Sequence, residues 1–284
     1  MLKVGSYAIH RIDAGRFRLD GGAMFGVVPK VLWEKRKPAD EKNRIAMATM
    51  LVLLDDGRRR ILIDTGIGQK NDPKFEAIYA VDHSQFNLMG SLEAHGYSAD
   101  SITDVILTHL HFDHAGGATR LNGKEQVLPT FPNATYYVQE KQWTWALSPS
   151  ERDRASFLPE NFVPLKEAGQ LELLNGEMEL FPGVRVIPIH GHTPGQQMVL
   201  VEGSNRSFLF AGDLLPTPAH VPLAWIMSYD LHPLTTLEEK KIYLERAASE
   251  NWLVFFEHDP EIYCATIRKT EREDYRAEEA VTFK

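Results

Sequence analysis

The feature that most constrains this chain is a place where an apolar strand stops and a cluster of metal-binding side chains begins. Residues 105–108 read as a short buried strand and run directly into His109-Leu110-His111-Phe112-Asp113-His114. In an extended segment, residues two apart face the same way, so His109 and His111 can reach one point together. Ala115-Gly116-Gly117 follows. The glycines permit the tight turn that brings Asp113 and His114 round to an adjacent point. Imidazole plus carboxylate is a ligand set suited to zinc and similar divalent metals. A lone histidine is usually a surface or core residue. Three of the chain's 11 histidines and an aspartate within six positions call for a chemical reading.

Three more apolar runs end in the same manner. Val186-Ile187-Pro188-Ile189 ends in His190-Gly191-His192-Thr193-Pro194-Gly195. Phe208-Leu209-Phe210 ends in Ala211-Gly212-Asp213, and Leu253-Val254-Phe255-Phe256 ends in Glu257-His258-Asp259. Ligands carried on strand ends are held rigidly, as a preorganised site requires.

The rest of the chain supplies the frame. Strands are predicted over 4–10, 16–19, 46–54 and 60–64, with Asp55-Asp56-Gly57 as a hairpin signal between the last two. Residues 82–95 read as a helix stopped by Gly96, and 139–147 as another. Residues 148–164 read as a loop with short helical pieces. Further strands are predicted over 179–180, 184–189, 197–201 and 207–210, then a helix over 237–250. Thr235 and Glu238 have capping-box spacing there. Residues 253–256 are predicted as the last buried strand, and the tail beyond Arg268 is highly charged. No linker or repeat divides the sequence, so a single domain over 1–284 is expected. Two sheets packed face to face with helices outside would accommodate this order.

Composition narrows the partners. The formal net charge is -8, the opposite sign to that of most nucleic-acid binders, so no nucleic-acid partner is expected. The one cysteine, Cys264, cannot form an intrachain disulfide. Together with an N-terminus lacking a signal-like apolar run and no membrane-span-length stretch, this leads to the expectation of a cytoplasmic protein with no membrane partner.

The order His109-X-His111-X-Asp113-His114, then His192, Asp213 and His258, resembles the metallo-β-lactamase superfamily of hydrolases. The match runs from about residue 64 to 258 and includes the Asp64-Thr65-Gly66 turn and the Gly191-to-Gly195 element. The resemblance implies an α+β fold: an αβ/βα four-layer sandwich of two mixed β-sheets with helices on both outer faces and the site at one edge. It implies one metal held by His109, His111 and His192, a second by Asp113, His114 and His258, and Asp213 between them. Two divalent ions are therefore the expected cofactors. Zinc is the first expectation, and the same ligands accept iron, manganese or cobalt. In such a pair the ions share a water and lower its pKa toward neutrality, producing a bridging hydroxide. Asp113 is expected to orient that nucleophile and pass a proton to the leaving group. Asp64 is read as an acceptor for the N–H of a ligand histidine. The His-Thr-Pro-Gly context favours His192 over His190 as the ligand.

The resemblance also narrows the chemistry. Cys-type β-lactamases place a cysteine where Asp213 stands, and iron-dependent redox members usually alter the His-X-His-X-Asp-His run, which is intact here. What remains is a small ester, foremost a lactone such as an acyl-homoserine lactone. The alternatives are a phosphotriester or phosphodiester, or a thioester of the glyoxalase II kind; a nuclease or a non-catalytic metal binder ranks lower. The mixed-sign tail at 268–274 gives the thioester reading little support. Several acyl-homoserine lactonases carry a tyrosine shortly after the bridging aspartate. Here Leu214, Leu215 and Pro216 follow Asp213, and Tyr229, sixteen positions on, cannot be equated with that tyrosine. Residues 214–229 are expected to wall the pocket, with His220 as a polar, catalytic contact and Trp225 as an apolar one. Met24 and Phe25 are expected to cover the substrate or form a dimer contact, and Phe112 to face the site or the core. The expected partner is a small-molecule substrate, and a homodimer is expected from similar enzymes.

Overall fold

A computed structural model describes residues 1–283. The first sheet opens with β1 (Leu2–Val4), β2 (Tyr7–Asp20), β3 (Arg44–Asp55), β4 (Arg60–Ile63) and β5 (Asp104–Ile106). A two-stranded ribbon, β6 (Thr119–Leu121) with β7 (Val127–Pro129), then intervenes. Strands β8 (Thr135–Gln139) and β9 (Leu171–Leu174) complete the first sheet in the order β1-β2-β3-β4-β5-β8-β9. The second sheet holds β10 (Met178–Phe181), β11 (Val184–Ile189), β12 (Gln196–Val201), β13 (Phe208–Phe210), β14 (Leu253–Phe255), β15 (Cys264–Lys269) and β16 (Tyr275–Ala280), in chain order. Both sheets are mixed: β4/β5, β5/β8, β8/β9 and β13/β14 are parallel, the other pairs antiparallel.

Alternation along the strands builds the layers. Val52 and Leu54 of β3, Ile106 of β5, Phe208 and Phe210 of β13 and Phe255 of β14 meet in one apolar cluster between the sheets. Their neighbours point outward. Leu51, Leu53, Leu62 and Val105 pack under Leu92, Ala146, Phe162 and Leu165. Leu209 and Val254 pack under Leu244 and Ala247 of the helix Pro233–Ser249. Strands buried on both faces read as continuous apolar runs, which is why those runs stand out in the sequence. The result is the four-layer sandwich that the motif order implies.

Some elements differ from expectation. The predicted strands at 4–10 and 16–19 are one long strand, β2, with an irregularity in its pairing between Asp13 and Arg16. The predicted helix over 82–95 shortens to Leu88–Ala94, because Asn87 caps it by accepting from Gly90 N. Asp82 pairs instead with Arg16 as an isolated bridge. The 235–238 capping box is not used, since the helix begins at Pro233 with no side-chain cap. Residues 253–256 are not the last strand: β15 and β16 follow, and the charged tail is the exposed edge of the second sheet.

One close approach fixes the site's floor. The turn after β4 lies against the glycines after His114: Thr65 N donates to His114 O (2.8 Å) and Gly117 N to Gly66 O (2.9 Å). A Cβ on Gly116 would stand 2.0 Å from Ile67 O, so any side chain must push the two segments apart. Gly116→Ala is expected to cost roughly 3 kcal/mol, read as a lower denaturation midpoint with an unchanged m-value. Wild-type stability in that variant would mean the contact is not fixed.

Candidate metal centre

The ligand-type side chains converge from the ends of five strands. Asp64 follows β4 and has φ of 58°, a left-handed conformation that aspartate tolerates better than most residues. Its N–H donates to Ile106 O (2.9 Å), which brings it beside the end of β5. There its carboxylate accepts from Thr108 N and Thr108 Oγ1, each at 2.6 Å. Thr108 thus launches the histidine run in a set direction. His111 occupies the position before the one-turn helix Phe112–Ala115, which carries Asp113 and His114. The second sheet contributes His192 after β11, Asp213 after β13 and His258 after β14.

These residues form two groups. His109, His111, His192 and Asp213 place ligand atoms within 4.8 Å of one another, and so do Asp113, His114 and His258. His111 Nδ1 lies 3.0 Å from His109 Nε2 and 3.1 Å from His192 Nε2. His258 Nε2 lies 3.1 Å from His114 Nε2. Asp213 faces both groups: Oδ2 is 3.2 Å from His192 Nε2, and Oδ1 is 3.1 Å from His258 Nε2. All seven residues are buried.

The surroundings fit divalent cations. Converging imidazole nitrogens repel unless a proton or a cation lies between them. Asp213 Oδ1 is buried with no hydrogen-bond partner among the described residues, the kind of cost a native site offsets with a ligand. Burial and the neighbouring histidines hold His109 and His111 well below the usual imidazole range, so they present neutral lone pairs. At His258 burial also opposes charge, yet the Asp213 carboxylate draws its pKa up to about 9. Positive charge is favoured in this pocket, whether carried by protons or by metal.

Four of the five imidazoles are also held from behind, while His111 Nε2 is buried without a hydrogen-bond partner among the described residues. His192 Nδ1 lies 2.8 Å from Asp230 Oδ1, and His258 Nδ1 2.9 Å from Ala48 O. His114 Nδ1 lies 3.0 Å from Asp64 Oδ2 and 3.1 Å from Glu257 Oε2. His109 Nδ1 sits 3.0 Å from Thr108 Oγ1. Such contacts fix the tautomer and aim the other nitrogen inward. His190 is turned away and accepts from Gly195 N at 3.1 Å.

Beside the two groups lies a cavity of about 300 Å³, walled by His111, Asp113, His192 and Asp213 together with Leu19, Tyr79, Phe112, Arg152 and Tyr229. A larger groove of about 970 Å³ runs along β15 and β16 and contains none of the seven residues.

The sequence profile of the metallo-beta-lactamase superfamily matches residues 46–258. The chain belongs to that superfamily. It is a metal-dependent hydrolase, similar to an N-acyl homoserine lactonase of Bacillus thuringiensis at 29% identity over 224 residues, 74% of this chain and 80% of the relative. Among solved structures, a probable metal-dependent hydrolase from Staphylococcus aureus superposes with a TM-score of 0.86 at 28% identity, covering 99% of this chain and 100% of that one. An N-acyl homoserine lactone hydrolase with N-hexanoyl-L-homoserine at its catalytic metal centre superposes with a TM-score of 0.68 at 25% identity, covering 92% and 95%.

Within this superfamily fold the expected substrate contacts sort differently from the ligands. Phe112 lines the cavity and packs on Phe75 and Tyr79. Met24 and Phe25 do not line it; both are buried in an apolar cluster with Trp33 and Phe17. Their neighbours Leu19 and Ala23 take the wall positions instead. Trp225 packs edge-on against Phe25 under the guanidinium of Arg36, and lines the larger groove. His220 is likewise removed from the cavity. Its Nδ1 meets Thr217 Oγ1 and its Nε2 meets Met24 O, each at 2.8 Å, and the ring stacks on Phe25 at 4.8 Å. Sequence reasoning did not single out Tyr79, Arg152, Asp230 or Glu257. Only Glu257 had a local signal, as the acid beside His258.

Burial pushes the His220 pKa down to about 3, against the hydrogen bond to Met24. Between that value and the unfolded pKa near 6.5, the unfolded chain binds a proton that the native chain does not, so stability falls as pH falls through about 6.5. The expected loss from this residue at pH 5 is about 2 kcal/mol. His220→Gln keeps a donor and an acceptor and should remove that slope. Urea denaturation at pH 7 and pH 5 reads it, and an unaltered pH dependence in the variant would show that His220 does not cause it.

No helix among the described residues is long and apolar enough to cross a membrane.

Proposed function

We propose that this chain is a dinuclear metal-dependent lactonase that opens the ring of an acyl-homoserine lactone or a close relative. The observation that carries the reading is Asp213, whose two oxygens face two separate ligand groups. One group alone would indicate a single ion; a carboxylate shared between two groups fits a pair. His109, His111 and His192 would hold one ion, and Asp113, His114 and His258 the other. Such a pair supplies a Lewis acid for the carbonyl and a water acidic enough to attack near neutral pH. The lactonase similarity at 29% identity supports the ester class, as does the product complex of the relative with a similar fold.

The chain's own groups supply the rest. Asp113 lines the cavity beside His258, 3.7 Å from its Nε2, and its cavity-facing carboxylate is the group assigned to take the proton of the attacking water. It returns that proton to the ring oxygen as the C–O bond breaks, leaving a hydroxy acid. Tyr229, far from Asp213 in sequence, is folded into the cavity wall. Burial raises its pKa, with Tyr79 and Asp113 adding to the effect. It therefore remains a hydrogen-bond donor, available to the carbonyl oxygen. Phe112, Leu19 and Tyr79 give an apolar lining for an acyl chain.

Zinc-loaded protein should contain two ions per chain and open N-hexanoyl-homoserine lactone faster than it cleaves an aryl ester, a thioester or a phosphotriester. Metal-replete protein that opens no lactone above buffer would overturn the reading.

A further inference from the structure

The cavity wall holds one lysine or arginine, Arg152, and the proposed reaction gives it no task. We propose that Arg152 determines specificity by binding a carboxylate carried on a part of the substrate that is not cleaved. This rests on the hydrolase reading of the site alone, and it names a substrate class, an ester or lactone bearing a distal carboxylate, that differs from a simple acyl-homoserine lactone, which carries none.

Arg152 lies on the 148–157 segment and donates through Nη2 to Ser228 O, another residue of the cavity lining. A guanidinium has five N–H donors, and the Ser228 carbonyl takes one direction only. Among the described residues no carboxylate forms an ion pair with Arg152, and the two acids beside it are engaged elsewhere. Asp153 accepts from Trp145 Nε1 at 2.7 Å and from Ser150 Oγ at 2.6 Å. Glu151 lies 3.4 Å from Arg154. The loop therefore leaves an exposed guanidinium on the cavity wall without an ion-pair partner among the described residues. The remaining edge of the guanidinium is a planar fork that matches a carboxylate with two parallel hydrogen bonds. The same cavity presents His111, Asp113, His192 and Asp213, so one small molecule bound in it can meet both the reacting groups and Arg152.

A rival role is a latch, in which Arg152 only ties the 148–157 loop to Ser228. Matched substrates separate the two roles. The mono-4-nitrophenyl ester of glutaric acid and 4-nitrophenyl valerate share chain length and leaving group, and differ by one distal carboxylate. In the zinc-loaded protein, Arg152→Gln should lower the ratio of kcat/KM for the charged ester over the neutral one about tenfold, mainly through KM. Arg152→Lys, which keeps the charge and loses the fork, should fall between. An equal loss on both esters, or no change in the ratio, overturns the proposal. Calorimetric titration with glutarate and with valerate decides the point without turnover. Arg152→Gln should weaken glutarate about tenfold more than valerate, and parallel binding of the two by wild type and variant overturns the proposal. If wild type cleaves neither aryl ester, the glutarate titration alone judges Arg152, and the lactone assay separately judges the proposed function.

Discussion

Asp213→Ala should lower kcat/KM by about a thousandfold or more and leave no more than one tightly held divalent ion per chain. The size follows from what the carboxylate does. It is buried, and its two oxygens stand 3.2 and 3.1 Å from imidazoles of different groups. Removing it takes away the shared ligand and the negative charge that sets the two groups at a common distance. Several kcal/mol of transition-state stabilisation depend on such a pair, and about 4 kcal/mol is a thousandfold in rate. Folding should survive, because the variant also removes a buried charge. Metal analysis after exhaustive dialysis, run beside lactone turnover, checks both halves. A variant that keeps two ions and turns over within tenfold of wild type would mean that Asp213 does not bridge.

Asp64→Ala should be nearly as damaging to the fold as Asp213→Ala is to the reaction. The Asp64 carboxylate accepts from Thr108 N, Thr108 Oγ1 and His114 Nδ1, and the residue is wholly buried. Alanine would orphan the two buried Thr108 donors at about 1–3 kcal/mol each and leave His114 Nδ1 with Glu257 alone. It would also place a poorly suited residue at φ of 58°. A loss of about 3–6 kcal/mol is expected in chemical denaturation, with metal affinity weakened about 10- to 100-fold because His114 loses one of its two backing carboxylates. Asp64→Asn keeps one acceptor oxygen and the tolerance for that backbone, and should cost less than half as much. Equal stability for the two variants would show that the carboxylate's hydrogen bonds are not what matters there.

The residues that form the two candidate metal-binding groups were legible in the sequence because each is local to its strand. A buried strand is a continuous apolar run, and its last residue is where a side chain leaves the sheet. His109, His192, Asp213 and His258 are all marked in that way. The sheet order was not readable from periodicity and followed from the family resemblance. The supporting groups were hidden for a different reason. Asp230 reaches His192 because Leu231 N and His232 N bond to the carbonyls of His192 and Gly191, a pairing that no spacing announces. Tyr229 and Arg152 come to the cavity from loops whose course depends on the packing beneath them. Met24 and Phe25 show the converse error. An apolar pair flanked by glycines reads equally as a cover or as core, and stacking with Trp33 and His220 makes it core. In the tail, Tyr275 is the one buried residue of β16, too little to mark a strand among charges.

Four of the seven candidate ligand residues hang from the first sheet and three from the second. A cation shared between them is therefore a staple, joining positions as far apart in sequence as His114 and His258, 144 residues. Closing a loop of that length without help is entropically unfavourable, and a staple that forms only in the native state shifts the folding balance by mass action. At a hundredfold excess over its dissociation constant, such a ligand adds about 2.7 kcal/mol. Metal supply thus governs durability as well as turnover. A metal-starved chain is expected to loosen first at the rim of the sandwich, since the phenylalanines between the sheets pack without any metal.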